Sequence, residues 1–234
     1  AKGITVFDVD VANGMFKERC EIEVDNSSYV IASSDGKTLY SIADEGVVSF
    51  RILPNGSLAR LNSSSIRGMR GCHLCTDEED KYVFVSVGKI VDGVFDRGYG
   101  SVAERNFRPH VTCTRRMPDN RFVLSVDNGI YQVKIYRFND KEQKLVQVDA
   151  IRCDLESAPR HFRYSKDGKF IYLMYELKKA IEVYTYKTGD RAPVIEKIQT
   201  ISTTSTKNPD NLTAACAMRM SIDQKYIYCT NAGE

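Results

Sequence analysis

Lys166-Asp167-Gly168-Lys169-Phe170-Ile171-Tyr172 places a polar turn directly before a strand-forming run, and the arrangement returns four more times along the chain. The other copies are Ser34-Asp35-Gly36-Lys37-Thr38-Leu39-Tyr40, Glu79-Asp80-Lys81-Tyr82-Val83-Phe84, Pro118-Asp119-Asn120-Arg121-Phe122-Val123-Leu124 and Ile222-Asp223-Gln224-Lys225-Tyr226-Ile227-Tyr228. Asp-Gly and Asp-Asn accept the positive φ of a tight hairpin, and β-branched and aromatic residues dominate the runs that follow. The basic residues stand at 37, 81, 121, 169 and 225, so the copies are 44, 40, 48 and 56 residues apart. Steps of ~40–50 residues, each holding four short strands, are those of propeller blades.

A further strand follows each hairpin in several copies: Val47-Val48-Ser49-Phe50, Gln132-Val133-Lys134-Ile135-Tyr136 and Ile181-Glu182-Val183-Tyr184. No stretch sustains a 3.6-residue apolar period, so the reading is all-β. A β-sandwich is the rival, but sandwich strands do not repeat one turn sequence at a fixed long step. Ser202 to Asn211 reads as a loop between blades. The whole chain, 1–234, is read as a single propeller domain with about five blades represented. The step of 40 is short because Val87-Gly88-Lys89-Ile90 runs from a second strand straight to the next blade's approach. A gap is therefore expected between 88 and 89, and further chain after 234.

Composition narrows the function. Lys+Arg is 33 and Asp+Glu is 31, and the net charge of +2 gives no support for nucleic acid or an anionic membrane as partner. No apolar run approaches ~18 residues, and the first ten residues lack the layout of a signal peptide. The seven cysteines are read as reduced thiols of a cytoplasmic protein. Cys72-His73-Leu74-Cys75 has the spacing of a zinc or redox pair. No second ligand pair follows it and it lies in a strand pattern, so two buried small hydrophobes are expected there. No metal cluster and no Gly-x-Ser-x-Gly elbow appear, so neither a metal, a cofactor nor a serine nucleophile is expected.

Strand direction locates the site. Strands of a meander alternate in direction, so all five turns lie at one end of their sheets. Residues before the inner strand and those ending the second strand share the opposite end. These are Arg70 and His73, then Arg105, Arg108 and His110, then Arg160 and His161, facing Glu45, Asp127, Glu176 and Asn231. All three histidines of the chain fall at this one structural position. Imidazole, guanidinium and carboxylate groups meeting at one polar mouth suit acid–base chemistry. Any of them could instead satisfy hydrogen bonds between blades, above all His161, whose neighbour Arg160 points the other way.

These residues resemble the seven-bladed propeller lactonases. Ala158-Pro159-Arg160-His161-Phe162, Ser165-Lys166-Asp167-Gly168-Lys169 and Met174-Tyr175-Glu176-Leu177 look like the family's Gly-Pro-Arg-His, Pro-Asp-Gly-Lys and Asn-Glu-Leu. Ala103-Glu104-Arg105-Asn106 with Arg108-Pro109-His110, Gly71-Cys72-His73-Leu74 and Thr230-Asn231-Ala232-Gly233 match three further motifs in order. The group includes 6-phosphogluconolactonases and the related carboxy-muconate lactonizing enzymes. The resemblance implies seven blades, which at ~45 residues each need roughly 315 residues, and His110, Arg160 and Glu176 as the catalytic positions. Arg70, His73, Arg105, Arg108 and Asp127 are expected to bind substrate. The expected partner is a small anionic lactone, foremost 6-phosphogluconolactone. Muconate cycloisomerisation and a non-catalytic binding propeller are the alternatives.

Overall fold

The computed structural model describes residues 3–67, 70–77, 79–87, 109–204 and 214–232. These form β-strands with no helix among them. The chain divides into two compact units, Ala1–Gly93 and Val94–Glu234. The gap expected between 88 and 89 lies outside the described residues, as does most of the loop expected over Ser202 to Asn211.

In the first unit, β1 (Gly3–Asp10) pairs with β2 (Met15–Glu23). A four-stranded sheet follows in chain order: β3 (Val30–Ala32), β4 (Thr38–Ala43), β5 (Gly46–Ile52) and β6 (Leu58–Ser65). Then β7 (Gly71–Thr76) pairs with β8 (Val83–Val87). The second unit has β9 (Val111–Arg116), β10 (Phe122–Asp127), β11 (Gln132–Asn139) and β12 (Lys144–Arg152) as one sheet. A second sheet holds β13 (Pro159–Tyr164), β14 (Phe170–Tyr175), β15 (Ala180–Lys187) and β16 (Val194–Ser202). The pair β17 (Ala214–Met220) and β18 (Ile227–Ala232) completes it. Every sheet is an antiparallel meander, which is blade topology.

The repeated turn has one construction in all five copies. Its first residue, Ser33, Asp77, Met117, Ser165 or Ser221, accepts a backbone bond from the residue three on and donates one to the carbonyl five on. The residue three on has positive φ each time: Gly36, Asp80, Asn120, Gly168 and Gln224. The Asp in the middle accepts the N–H of the basic residue, as in Asp35 with Lys37, Asp119 with Arg121, Asp167 with Lys169 and Asp223 with Lys225. That bond explains the Asp-x-Lys/Arg signature as an Asx turn. Neighbouring turns are also clasped: Asp80 Oδ2 accepts from Ser34 N at 2.7 Å, and Gln224 Oε1 accepts from Lys166 N at 2.6 Å. Where the equivalent residue is Pro118, which has no N–H, its partner position is Gly168, and the proline ring lies against it.

Between the two four-stranded sheets of the second unit lies the main core. Phe122, Leu124 and Val126 of β10 pack with Phe162, Ile171, Leu173 and Tyr175 of β13 and β14. Each such fully buried side chain contributes roughly 1.5–3 kcal/mol of apolar burial. This core holds the strand ends that carry the site.

The other ends of the inner strands share a second feature, which the sequence did not reveal. The inner strands β7, β9, β13 and β17 each carry one extra residue opposite their partner. Pairing jumps from Gly71 to His73 on β7, from Pro159 to His161 on β13 and from Ala215 to Ala217 on β17. On β9 it jumps between the partners of Val126 and Asp127, which are Cys113 and Val111. The bulged residues are thus Cys72, Thr112, Arg160 and Cys216, all five positions before the first turn residue. A bulge bends its strand and re-aims a side chain.

Candidate active site

Arg160 is the bulged residue of β13, and the bulge makes it part of a chain across three sheets. Thr112 Oγ1 donates to the Arg160 carbonyl at 2.7 Å, and Arg160 Nε donates to the Cys216 carbonyl at 3.0 Å. Thr112 and Arg160 thus each donate to the carbonyl of the next bulged residue. The guanidinium is fixed at its other side by Glu176: Nη1 meets Oε2 at 2.5 Å. Its Nη2 takes no partner among the described residues.

Glu176 follows β14 directly, and its backbone is pinned twice. Its N–H donates to the Ala158 carbonyl at 2.7 Å and its carbonyl accepts from Ala215 N at 3.1 Å. The carboxylate oxygen that meets Arg160 also accepts from Asn128 Nδ2 at 3.3 Å. The side chain stays 15% exposed, so the pair lies at a rim and not in the core. Asn128 was not singled out by sequence, although it follows Asp127 directly. It is buried, and its N–H donates to the His110 carbonyl at 2.9 Å.

His110 precedes β9 and is exposed. Asp127 Oδ1 accepts its backbone N–H at 2.8 Å. Together Asp127 and Asn128 hold both backbone polar groups of His110, while Asn128 reaches Glu176. His110, Arg160 and Glu176 are thereby tied to one corner of the second unit, at the end opposite the turns.

Other residues expected at the site stand differently. Asp127 is fully buried and cannot touch a substrate. Its Oδ2 meets Lys134 Nζ at 3.1 Å, and its Oδ1 also accepts from Gly129 N and Ile130 N. A short carboxylate at a strand end turns back into its own sheet, and this one serves the frame. His73, expected to bind substrate, is also fully buried, with its ring centroid 4.7 Å from that of Tyr29. Arg70 is exposed and donates to the Asn26 carbonyl. Arg105 and Arg108 lie outside the described residues. Glu45 is exposed in the first unit, and Asn231 Nδ2 bonds the Thr203 carbonyl at 2.8 Å. Cys75 is buried and Cys72 partly so, with Cys72 Sγ donating to the Ser86 carbonyl at 3.5 Å.

His161, beside Arg160, is a different kind of group from His110. Burial, helped by the charges of Arg160, Arg163, Arg115 and Arg219, pushes its pKa down to about 3. Its imidazole is neutral at any ordinary pH.

Comparison with known proteins follows this geometry. A family model described as Lactonase, 7-bladed beta-propeller, matches residues 1–234. An uncharacterized protein of Staphylococcus saprophyticus is 27% identical over 257 residues, covering 99% of this chain and 72% of the relative. One from Staphylococcus aureus strain USA300 is 26% identical, covering 90% of this chain and 66% of the relative. A Bacteroides fragilis crystal structure, provisionally described as a 6-phosphogluconolactonase, is 26% identical with TM-score 0.78, covering 98% of this chain and 70% of that one. The periplasmic gluconolactonase of Pseudomonas aeruginosa is 22% identical with TM-score 0.86, covering 99% and 72%, a likeness of fold. The chain thus spans about two thirds to seven-tenths of these relatives. These descriptions lend no support to the ring-forming, isomerase alternative. No described helix is long and apolar enough to cross a membrane.

Proposed function

We propose a lactone hydrolase, on the premise that the chain belongs to the seven-bladed β-propeller lactonase family. The observation that carries the reading is the Arg160–Glu176 pair at an exposed rim, with Asn128 on the same carboxylate oxygen. The substrate class is a sugar lactone, with 6-phosphogluconolactone first, the description carried by the Bacteroides fragilis neighbour.

The chemistry assigns one task to each group. Water adds to the lactone carbonyl carbon while Glu176 accepts its proton. Arg160 presents Nη2 to the carbonyl oxygen as it becomes an oxyanion. A preorganised donor of this kind contributes roughly 3 kcal/mol to the barrier. The bond from carbon to ring oxygen then breaks, and His110 hands that oxygen a proton. Proton transfer by a placed side chain is worth ~10²–10⁴-fold. The product acid ionises, so each turnover releases one proton to solution. Arg105 and Arg108, close before His110 in sequence, are the candidate holders of an anionic substituent, because the guanidinium fork fits phosphate.

The test is proton release from 6-phosphogluconolactone and from gluconolactone, against spontaneous hydrolysis. The proposal expects an excess rate with at least one lactone. No excess with either, or turnover of a carboxymuconate instead, overturns it.

A further inference from the structure

We infer that Glu182 is a positioning residue for Glu176, a buried carboxylate that clasps the hairpin presenting the proton acceptor from both sides. The inference rests on the proposed role of Glu176 as that acceptor. Glu182 lies on β15, pairs with Leu173 of β14 and is 3% exposed. Leu173, Tyr175 and Tyr184 share its face of the sheet by strand alternation, and all three belong to the main core. Well-packed apolar residues in place of a buried ion pair are often no less stable. A charge kept in this gap therefore points to a task other than stability.

Its bonding supplies that task. Glu182 Oε2 accepts from the Tyr175 hydroxyl at 2.6 Å, and Oε1 accepts from Lys178 Nζ at 2.8 Å. These partners stand one residue before Glu176 and two after it. Lys178 Nζ also donates to Asp154 Oδ2 at 2.6 Å, in the segment 154–158 between β12 and β13. The backbone of the hairpin hangs on the same segment. The Ala158 carbonyl accepts from Glu176 N at 2.7 Å, and the Ser157 carbonyl accepts from Leu177 N at 3.2 Å and Lys178 N at 3.1 Å. One carboxylate thus holds both flanks of Glu176 and, through Lys178, the segment to which its backbone bonds. The Tyr184 hydroxyl on Oε2 and Lys197 Nζ on Oε1, at 3.2 Å, complete the shell. Burial opposes ionisation, but the bonds from Lys178, Tyr175, Tyr184 and Lys197 outweigh it and hold the Glu182 pKa down at about 2.

The clasp bears on catalysis because a proton acceptor works only within hydrogen-bond reach of the water it activates. Glu176 sits in the tight connection between β14 and β15, where Lys179 has a φ of 52°. Arg160 and Asn128 fix its carboxylate, but its backbone is set by the hairpin, and Tyr175 and Lys178 tie that hairpin down. Glu182 is too deeply buried to meet substrate, so it acts through Glu176.

Amide hydrogen exchange and lactone kinetics on Glu182→Gln and Lys178→Met test the inference. Lys178 is 28% exposed and methionine keeps most of its apolar stem, so the second variant folds even where the first does not. The amides of residues 176–178 should exchange about tenfold faster or more in both variants. The bonded amides of Ser165 and Gly168, in the turn at the far end of β14, should exchange as in the parent. On the lactone that the parent hydrolyses, kcat should fall about tenfold or more with KM unchanged, and Lys178→Arg should recover most of it. A merely structural role would loosen both ends of the sheet together and leave kcat per folded molecule unchanged. That result, or selective loosening with parental kcat, overturns the inference. A parent that hydrolyses no lactone defeats the function reading instead, and the exchange comparison then decides the clasp alone.

Discussion

Asp127 and Glu176 stand one repeat position apart in neighbouring sheets, one closing β10 and the other directly after β14, and the structure treats them in opposite ways. Asp127 is sealed, bonded to Lys134 and to three backbone N–H groups, one of them from His110. Glu176 stands one residue beyond its strand and has one more methylene. It reaches outward to Arg160 and accepts from Asn128 of the adjacent sheet. One carboxylate builds the corner and the other is presented by it. A repeat position therefore fixes where a side chain starts, while reach and register decide what it touches.

The comparison breaks most visibly at the sealed end. Asp127→Ala leaves a buried ammonium without its carboxylate and removes the acceptor of three N–H groups. Removing one partner of a buried pair costs about 3–5 kcal/mol, so chemical denaturation should show a loss of that size. A loss no greater than that of an ordinary surface substitution would show that Asp127 is not the keystone of the corner.

A smaller effect concerns His161 and pH. The folded imidazole has its pKa held down at about 3, whereas the unfolded group titrates near 6.5. Between those values the unfolded chain binds the extra proton, so stability falls as pH drops from about 6.5 towards 3. His161→Gln has no such proton to bind. Its unfolding free energy should fall less between pH 6.5 and 4.5 than that of the parent, by about 1 kcal/mol or more. Identical pH slopes in urea unfolding would contradict the neutral, arginine-crowded imidazole.

A kinetic effect sharpens the comparison at Asn128. Asn128→Leu keeps the volume and the backbone bond to His110 but deletes the donor to Glu176. A hydrogen bond to a charged group is worth ~1.5–3 kcal/mol, so kcat on the responsive lactone should drop about tenfold or more with KM little changed. The same drop in Tm-matched controls at exposed positions would argue against a specific role.

Much of this was legible in the sequence because its signals are local. Asp-x-Lys/Arg turns bind their own backbone, so four of the five hairpins and their common direction could be read from Asp35, Asp119, Asp167 and Asp223 alone. Direction then placed His110, Arg160 and Glu176 at one end. What could not be read depends on contacts between sheets. The bulged residues Arg160 and Cys216 offer their carbonyls to donors on the preceding inner strand, Thr112 Oγ1 and Arg160 Nε, and no composition rule marks such contacts. Asp127 was expected at the substrate because it ends a second strand, whereas the residue that matches Glu176, seven after the basic turn residue, is Asn128. Lys134, a lysine inside the apolar run Val133 to Ile135, was the available sign of a buried partner. His73 failed similarly, since its packing against Tyr29 joins residues 44 positions apart.

The presented carboxylate is the centre of the account, and one kinetic comparison addresses it. Proton release from 6-phosphogluconolactone is measured for the parent and for Glu176→Gln, each corrected for folded fraction by its thermal transition. The account predicts a rate lower by ~10² or more in the variant, with the transition little moved. A variant that keeps the parental rate would contradict it.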